Sequence, residues 1–300
     1  MDKPKIIVIC GPTASGKTKL GIEVAKKIDG EIISCDSMQI YKEMDIGTAK
    51  PTKEEQEQVV HHLIDFVDPN YRYSVADFKQ NATEIIKDIL KRGKTPILVG
   101  GTGLYINSLI YNIEFKEEKT DLEYREKMEK YNNEELYIKA KKVDEEATSK
   151  ISINDRKRLI RILEIYHTTG KTKTQLEKES RKKLEYDYRV FVLNMDREEL
   201  YKRINFRVDY MIEQGLIDEV KRINSKYNSF PTAMQGLGYK EVAEYLNNEI
   251  SKEDMIEKIK QETRRYAKRQ LTWFRKYKQA VWLDANNNDN DEIIIEKFKS

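Results

Sequence analysis

Residues 8–18 read VICGPTASGKT: an apolar run stops at Gly11, and Gly16, Lys17 and Thr18 complete the spacing G-x-x-x-x-G-K-[ST]. This pattern suits phosphate. Glycines let backbone N–H groups approach phosphate oxygens, the helix that follows adds its N-terminal dipole, Lys17 reaches the terminal phosphate, and Thr18 can ligate Mg²⁺. A second group, Asp36 in CDSMQIY, closes another apolar run. Its carboxylate could accept a proton, bind metal, or cap the turn that follows. A third stretch, GGTG at 100–103, stands after TPILV, where an enzyme acting on a γ-phosphate would carry its Mg²⁺-holding acid. Glycines there indicate either close backbone approach to a ligand or tight strand-to-helix packing.

These groups need a scaffold that brings loop ends together. The runs KIIVIC (5–10), EIISC (31–35), TPILVGG (95–101), YRVFVLNMD (188–196) and AVWLDA (280–285) read as buried strands. Helical spacing separates them over 17–28 and 78–93. The fold expected is α/β, a P-loop NTPase-like parallel sheet flanked by helices, with ligands at the carboxyl ends of the strands and Asp36 facing the phosphate loop. Over 114–185 the composition shifts to Lys, Glu, Tyr and Asn with almost no glycine, a helical insertion that divides the core into 1–113 and 186–300. Within it Asn154 is expected to cap DRKRLIRILEIYHTTG, with Leu159, Ile162, Leu163 and Tyr166 as the apolar face and Gly170 as the stop. Another long helix is expected from Ser251 to about Tyr277.

With 36% charged residues and 39% apolar ones in 300, the chain reads as a folded, helix-rich protein rather than a disordered one. Its apolar N-terminal run of five residues, IIVIC, is too short for a membrane span or a signal-peptide core, and two cysteines, Cys10 and Cys35, suit free thiols in a reducing cytoplasm. The net charge is +3, yet residues 258–278 alone carry +8, which leaves −5 on the rest and suggests an anionic partner at one place. His61 and His62 would point to opposite faces of a strand with no further ligand spaced to complete a metal site. His167 suits the dipole at a helix end.

GPTASGKT, DSMQIY with DIGTAKP, HHLID, GGTGLYI, KRLIRILE, GLGYKE and KRQLTWFR, in this order from residue 11 to 275, resemble the tRNA dimethylallyltransferase family, isopentenyltransferases that modify the adenosine immediately 3′ of the anticodon. The resemblance implies that the loop formed by Gly11, Pro12, Thr13, Ala14, Ser15, Gly16, Lys17 and Thr18 holds the diphosphate of dimethylallyl diphosphate, with Mg²⁺ on Thr18. It also implies that Asp36 is the general base toward adenine N6, and that Arg207 contacts the diphosphate. Ser37, Met38, Gln39 and Thr102 match positions that touch the tRNA. Arg125 and the run Lys157, Arg158, Leu159, Ile160 and Arg161 match the grip on the anticodon stem-loop. On the C-terminal helix Arg264, Lys268 and Arg275 share one face and Arg265, Arg269 and Lys276 the next, a basic stripe suited to a phosphate backbone. Tyr266, Trp273 and Phe274 interleave with it, Trp273 as core. Met211 and Ile212 beside Arg207 fit the apolar face of their helix.

Three other readings remain open. A P-loop kinase of a small metabolite explains the loop but not the +8 segment. An adenylate isopentenyltransferase shares loop and base but takes a free nucleotide. A non-enzymatic RNA-binding module would tolerate loss of Asp36. A cytoplasmic monomer without membrane attachment is expected.

Overall fold

The computed structural model describes residues 3–115 and 121–300. The chain runs β1 (Lys5–Cys10), α1 (Lys17–Lys27), β2 (Gly30–Ser34), α2 (Lys53–Gln58), β3 (His61–His62), α3 (Val75–Lys91), β4 (Thr95–Gly100) and α4 (Gly103–Ile110). It continues through α5 (Leu122–Glu129), α6 (Asn133–Val143), α7 (Glu145–Thr148), α8 (Arg156–Thr169) and α9 (Lys173–Ser180). Then come β5 (Asp187–Asn194), α10 (Arg197–Glu213), α11 (Leu216–Lys226), a 3₁₀ turn at Ala233–Gln235, α12 (Tyr239–Leu246), α13 (Lys252–Phe274), β6 (Val281–Asp284) and α14 (Asn290–Lys299). Two compact units result: 1–110 with 185–300, and 111–184. Residues 116–120, inside the expected insertion, lie outside the described residues.

In the first unit the strands form one parallel sheet in the order β3-β2-β4-β1-β5-β6. Ile7 lies opposite Ile97 and Ile9 opposite Val99. With Ile32, Phe191 and Leu193 they bury one face of the sheet under Leu20 and Val24 of α1 and Ile294 of α14. β-Branched runs enclosed on both faces explain why these strands read as continuous apolar segments rather than alternating ones. The chain leaves β1 for β2 and returns to place β4 between them, so the order switches beside β1, where open α/β sheets take ligands. The third helix starts three residues before the expected 78, because Ser74 and Asp77 form a reciprocal capping box.

The second unit has its own core of Met128, Leu136, Ala140, Leu159, Ile162 and Leu163. The α8 cap is Asp155, not Asn154: its side chain accepts from the Arg158 N–H. Gly170 ends the helix at φ 67°, but Tyr166, expected on the apolar face, is exposed. His167 lies in the last turn, stacked on Tyr124 with ring centroids 4.0 Å apart.

At its centre the buried Glu164 accepts a two-pronged bond from Arg125 at 2.8 Å on each oxygen, a bond from Arg161 at 2.7 Å and the backbone N–H of Asp121 at 3.0 Å. Burial raises this carboxyl, but the two arginines outweigh burial and hold it below the usual carboxylate range. Because the folded value is depressed, the stability it contributes is present above the ordinary carboxylate range and is lost as pH falls through the lowered value. Glu164→Ala should destabilise this unit by about 2–3 kcal/mol, read by denaturant unfolding at pH 7, and the difference from the parent should narrow as pH falls below 4. A constant difference down to pH 3 would contradict the ion-pair account.

Candidate active site

The ends of β1, β2 and β4 meet α10 and α13 around a cavity of about 490 Å³, lined among others by Thr13, Lys17, Asp36, Arg207, Tyr266 and Gln270. The phosphate loop forms its floor. Gly16 sits at φ 84° directly before α1, a left-handed conformation that glycine adopts without penalty. Ala14 holds φ 64° despite its Cβ, at a cost of about 1 kcal/mol. A Cβ on Gly11 would come within 2.8 Å of the Leu193 carbonyl oxygen, so β5 sets the size of that residue.

Lys17 Nζ folds back onto the Pro12 carbonyl at 3.0 Å. Burial lowers its ammonium to about 8, with Asp36 opposing that change and Arg207 adding to it. Arg207, half-buried on α10, is likewise lowered by burial, with Glu55 opposing. It makes no hydrogen bond or ion pair with the described residues, and the Thr18 hydroxyl makes no hydrogen bond with them. Two desolvated cations facing one cavity form a site for an anion. Such a ligand binds protonated Lys17, so affinity for an organic diphosphate already fully ionised should be level up to about pH 8 and fall as pH rises beyond it. Calorimetric titration from pH 7 to 9.5 reads this. Lys17→Arg, which stays charged, should abolish the break, and a break that survives in Lys17→Arg would refute the assignment.

Asp36 follows β2 and serves its own turn with one oxygen: Oδ1 accepts from the N–H groups of Met38 at 2.9 Å and Gln39 at 3.3 Å. Oδ2 takes no hydrogen bond from the described residues. Capping and proton acceptance, alternatives in the sequence, are thus compatible in one side chain. Thr102 braces the same turn, accepting the Ser37 N–H at 3.0 Å and giving its own backbone N–H to the Cys35 carbonyl. Met38 and Gln39 line the cavity, and Gln39 donates to the carbonyls of Thr48 and Ala49. In GGTG, a Cβ on Gly100 would collide with Cys35 backbone, on Gly101 with Gln270, and on Gly103 with Trp273. These glycines answer to protein packing, the second of the two readings open in the sequence.

Residues to which the sequence assigned no part in the cavity also shape the site. Glu219, buried on α11, accepts the N–H groups of Asp45, Ile46 and Gly47 and the Tyr239 hydroxyl, and so ties DIGTAKP to GLGYKE. Gln270 and Tyr266 face inward from α13, and burial pushes the Tyr266 hydroxyl up. Met211, expected in the core, lies in the cavity wall. Cys10 and Cys35 are buried free thiols, both raised by burial. His62 bonds Glu31 at 2.8 Å and His61 the Val59 carbonyl at 2.7 Å, and no cluster of three or more metal-ligating side chains occurs among the described residues.

The basic stripe divides by pairing. On α13 Lys258 pairs with Glu244, Lys260 with Asp209, and Arg265 with Glu262, while Arg264 donates to Asn205 at 2.6 Å. Lys268, Arg269, Arg275 and Lys276 are exposed and have no carboxylate partner among the described residues, Arg269 lying over Tyr266 and Lys276 over Trp273. Trp273 also donates to Asn107 at 3.3 Å, and Phe274 is buried.

In the second unit the grip expected of Arg125 and 157–161 needs correction at Leu159 and Ile160. Leu159 and Ile160 are buried in its core, and Arg125 and Arg161 are held by Glu164. Lys157 and Arg158 are exposed, Arg158 pairing with Asp155 at 3.3 Å.

A parallel sheet with this loop after its first strand, two desolvated cations, a carboxylate at the second strand and no acid after β4 defines a P-loop α/β protein. The IPP transferase family model matches residues 39–277. A tRNA dimethylallyltransferase of Acetivibrio thermocellus is 51% identical over 300 residues, covering 98% of this chain and 96% of that protein. The full-length tRNA isopentenylpyrophosphate transferase of Bacillus halodurans superposes with a TM-score of 0.74 at 43% identity, over 99% of this chain and 95% of that one. A eukaryotic dimethylallyltransferase acting on tRNA superposes with a TM-score of 0.81 at 34% identity, over 98% and 79%. The chain belongs to the IPP transferase family, and with it to the transferases.

Proposed function

We propose that the chain transfers the dimethylallyl group of dimethylallyl diphosphate to N6 of the adenosine immediately 3′ of the anticodon in tRNA, releasing diphosphate. The observation that carries this reading is the pair of desolvated cations, Lys17 and Arg207, sharing one cavity with the unengaged Oδ2 of Asp36. The N6 lone pair attacks the allylic carbon, the carbon–oxygen bond breaks, and its electron pair leaves on diphosphate. Lys17, Arg207 and the N–H groups of residues 14–18 neutralise the charge that grows there. Asp36 Oδ2 accepts the N6 proton, which makes a weak amine nucleophilic as the bond forms. The target base has to leave its stack to enter, with Ser37, Met38, Gln39 and Thr102 around it.

Mg²⁺ belongs to this proposal. The Thr18 hydroxyl, free of partners among the described residues, is the ligand the chain would offer to an ion that the diphosphate also binds. When bound, the ion shields charge on the leaving group. The unpaired cations Lys268, Arg269, Arg275 and Lys276, with Lys157 and Arg158 of the second unit, are the surfaces offered to the phosphate backbone. Among the described residues no helix is long and apolar enough to cross a membrane. A cytoplasmic monomer is part of the reading.

The test runs dimethylallyl diphosphate and Mg²⁺ with an anticodon stem-loop, with AMP, and with ATP plus stem-loop in place of the allylic donor. Diphosphate release should require the stem-loop. Release with AMP in place of the stem-loop would assign a free-nucleotide acceptor, and ADP formation in the ATP arm would return the loop to phosphoryl transfer.

A further inference from the structure

Gln270 is nearly fully buried on α13, and both ends of its amide are engaged. Oε1 accepts the N–H of Thr13 in the phosphate loop at 2.9 Å, and Nε2 donates to the Gly101 carbonyl at 2.9 Å. These partners fix which end of the amide is oxygen, because one offers a hydrogen and the other a lone pair. The two loops belong to different strands, β1 and β4, and no backbone hydrogen bond joins Thr13 to Gly101. Gly101 passes to Thr102, which holds the Ser37 N–H beside Asp36. Three hydrogen bonds and the Gly101–Thr102 peptide link therefore connect the phosphate loop through Gln270 to the turn of the carboxylate.

We infer that Gln270 is a positioning residue, which sets the spacing between the phosphate cradle and Asp36 by holding the Thr13 N–H out of the cradle and clamping it to the loop after β4. The inference rests on the reaction proposed above and adds a residue to it. The geometry asks for one donor and one acceptor at the end of a three-atom reach. Methionine fills the volume with neither, and a glutamate carboxylate turns a second acceptor toward the Gly101 carbonyl. A protonated glutamic acid supplies both again. Because Lys268 and Arg269 precede Gln270 on the same helix and face solvent, an RNA backbone docked there bears directly on the element that carries this clamp.

The test measures transfer to an anticodon stem-loop by Gln270→Met and Gln270→Glu beside the parent protein, with stem-loop affinity read separately by anisotropy. Gln270→Met should lower kcat about tenfold to a hundredfold, with stem-loop affinity within about twofold of the parent, as expected for a misplacement of about 1 Å between reacting groups. For Gln270→Glu, activity divided by that of the parent at each pH should climb as pH falls from 8 to 6, because protonation rebuilds both hydrogen bonds. That rescue is the readout a merely structural role would not move, and it decides the matter if Gln270→Met does not fold. Parent-like kcat in Gln270→Met, or a Gln270→Glu ratio flat with pH, overturns the inference. A parent protein that transfers nothing would instead overturn the proposed reaction.

Discussion

Asp36→Asn keeps the turn after β2 folded and the stem-loop bound, and lowers prenyl transfer about a thousandfold. The asparagine carbonyl oxygen can accept from Met38 and Gln39 as Oδ1 does, so the cap survives. What disappears is the second oxygen as a proton acceptor. General-base contributions run from about 10² to 10⁴ in rate, and this one sits at a step with a neutral amine as nucleophile. Single-turnover transfer with enzyme in excess, beside anisotropy of labelled stem-loop, separates the two effects. Transfer within tenfold of the parent would make Asp36 a cap only.

Arg207→Gln separates activity from stability in opposite directions. The guanidinium is desolvated, has no hydrogen-bond partner or ion pair among the described residues, and depresses Lys17 across the cavity. Removing it relieves an unfavourable burial, so the ligand-free protein should become more stable by on the order of 1 kcal/mol. Transfer should fall about 10²- to 10³-fold because a cation aimed at the leaving group is lost. The pH at which diphosphate affinity breaks should also move up from about 8, since one cause of the lowered Lys17 is gone. A variant that loses stability along with activity would show Arg207 to be a structural residue.

The parts of this site legible in the sequence are those whose chemistry is local. The phosphate loop needs a strand, a glycine and a helix start within eleven residues, and Asp36 needs only its place at a strand end. Gln270 stands inside KRQLTWFR, but its role was not legible, because its partners Thr13 and Gly101 lie 257 and 169 residues away and an amide on a helix carries no periodic signal. The charge of residues 258–278 was legible as a sum but not in its distribution: Lys258, Lys260 and Arg265 are neutralised by carboxylates, two of them on other helices. Leu159 shows the converse. It stood on the expected apolar face of its helix, and only the resemblance set it, with Ile160, among RNA contacts. Asn154 and Asp155 are both good caps, and the Arg158 N–H donated to the Asp155 carboxylate decides between them.

The central claim is that the loop of residues 11–18 holds a leaving group rather than a phosphoryl donor. The most direct test is mass spectrometry of the nucleosides from an anticodon stem-loop after reaction with the protein, Mg²⁺ and dimethylallyl diphosphate. The account predicts that the adenosine 3′ of the anticodon gains one dimethylallyl group on N6, and that a stem-loop with purine riboside there, which lacks the amine, gains none. An unchanged adenosine, or a modified purine riboside, would contradict it.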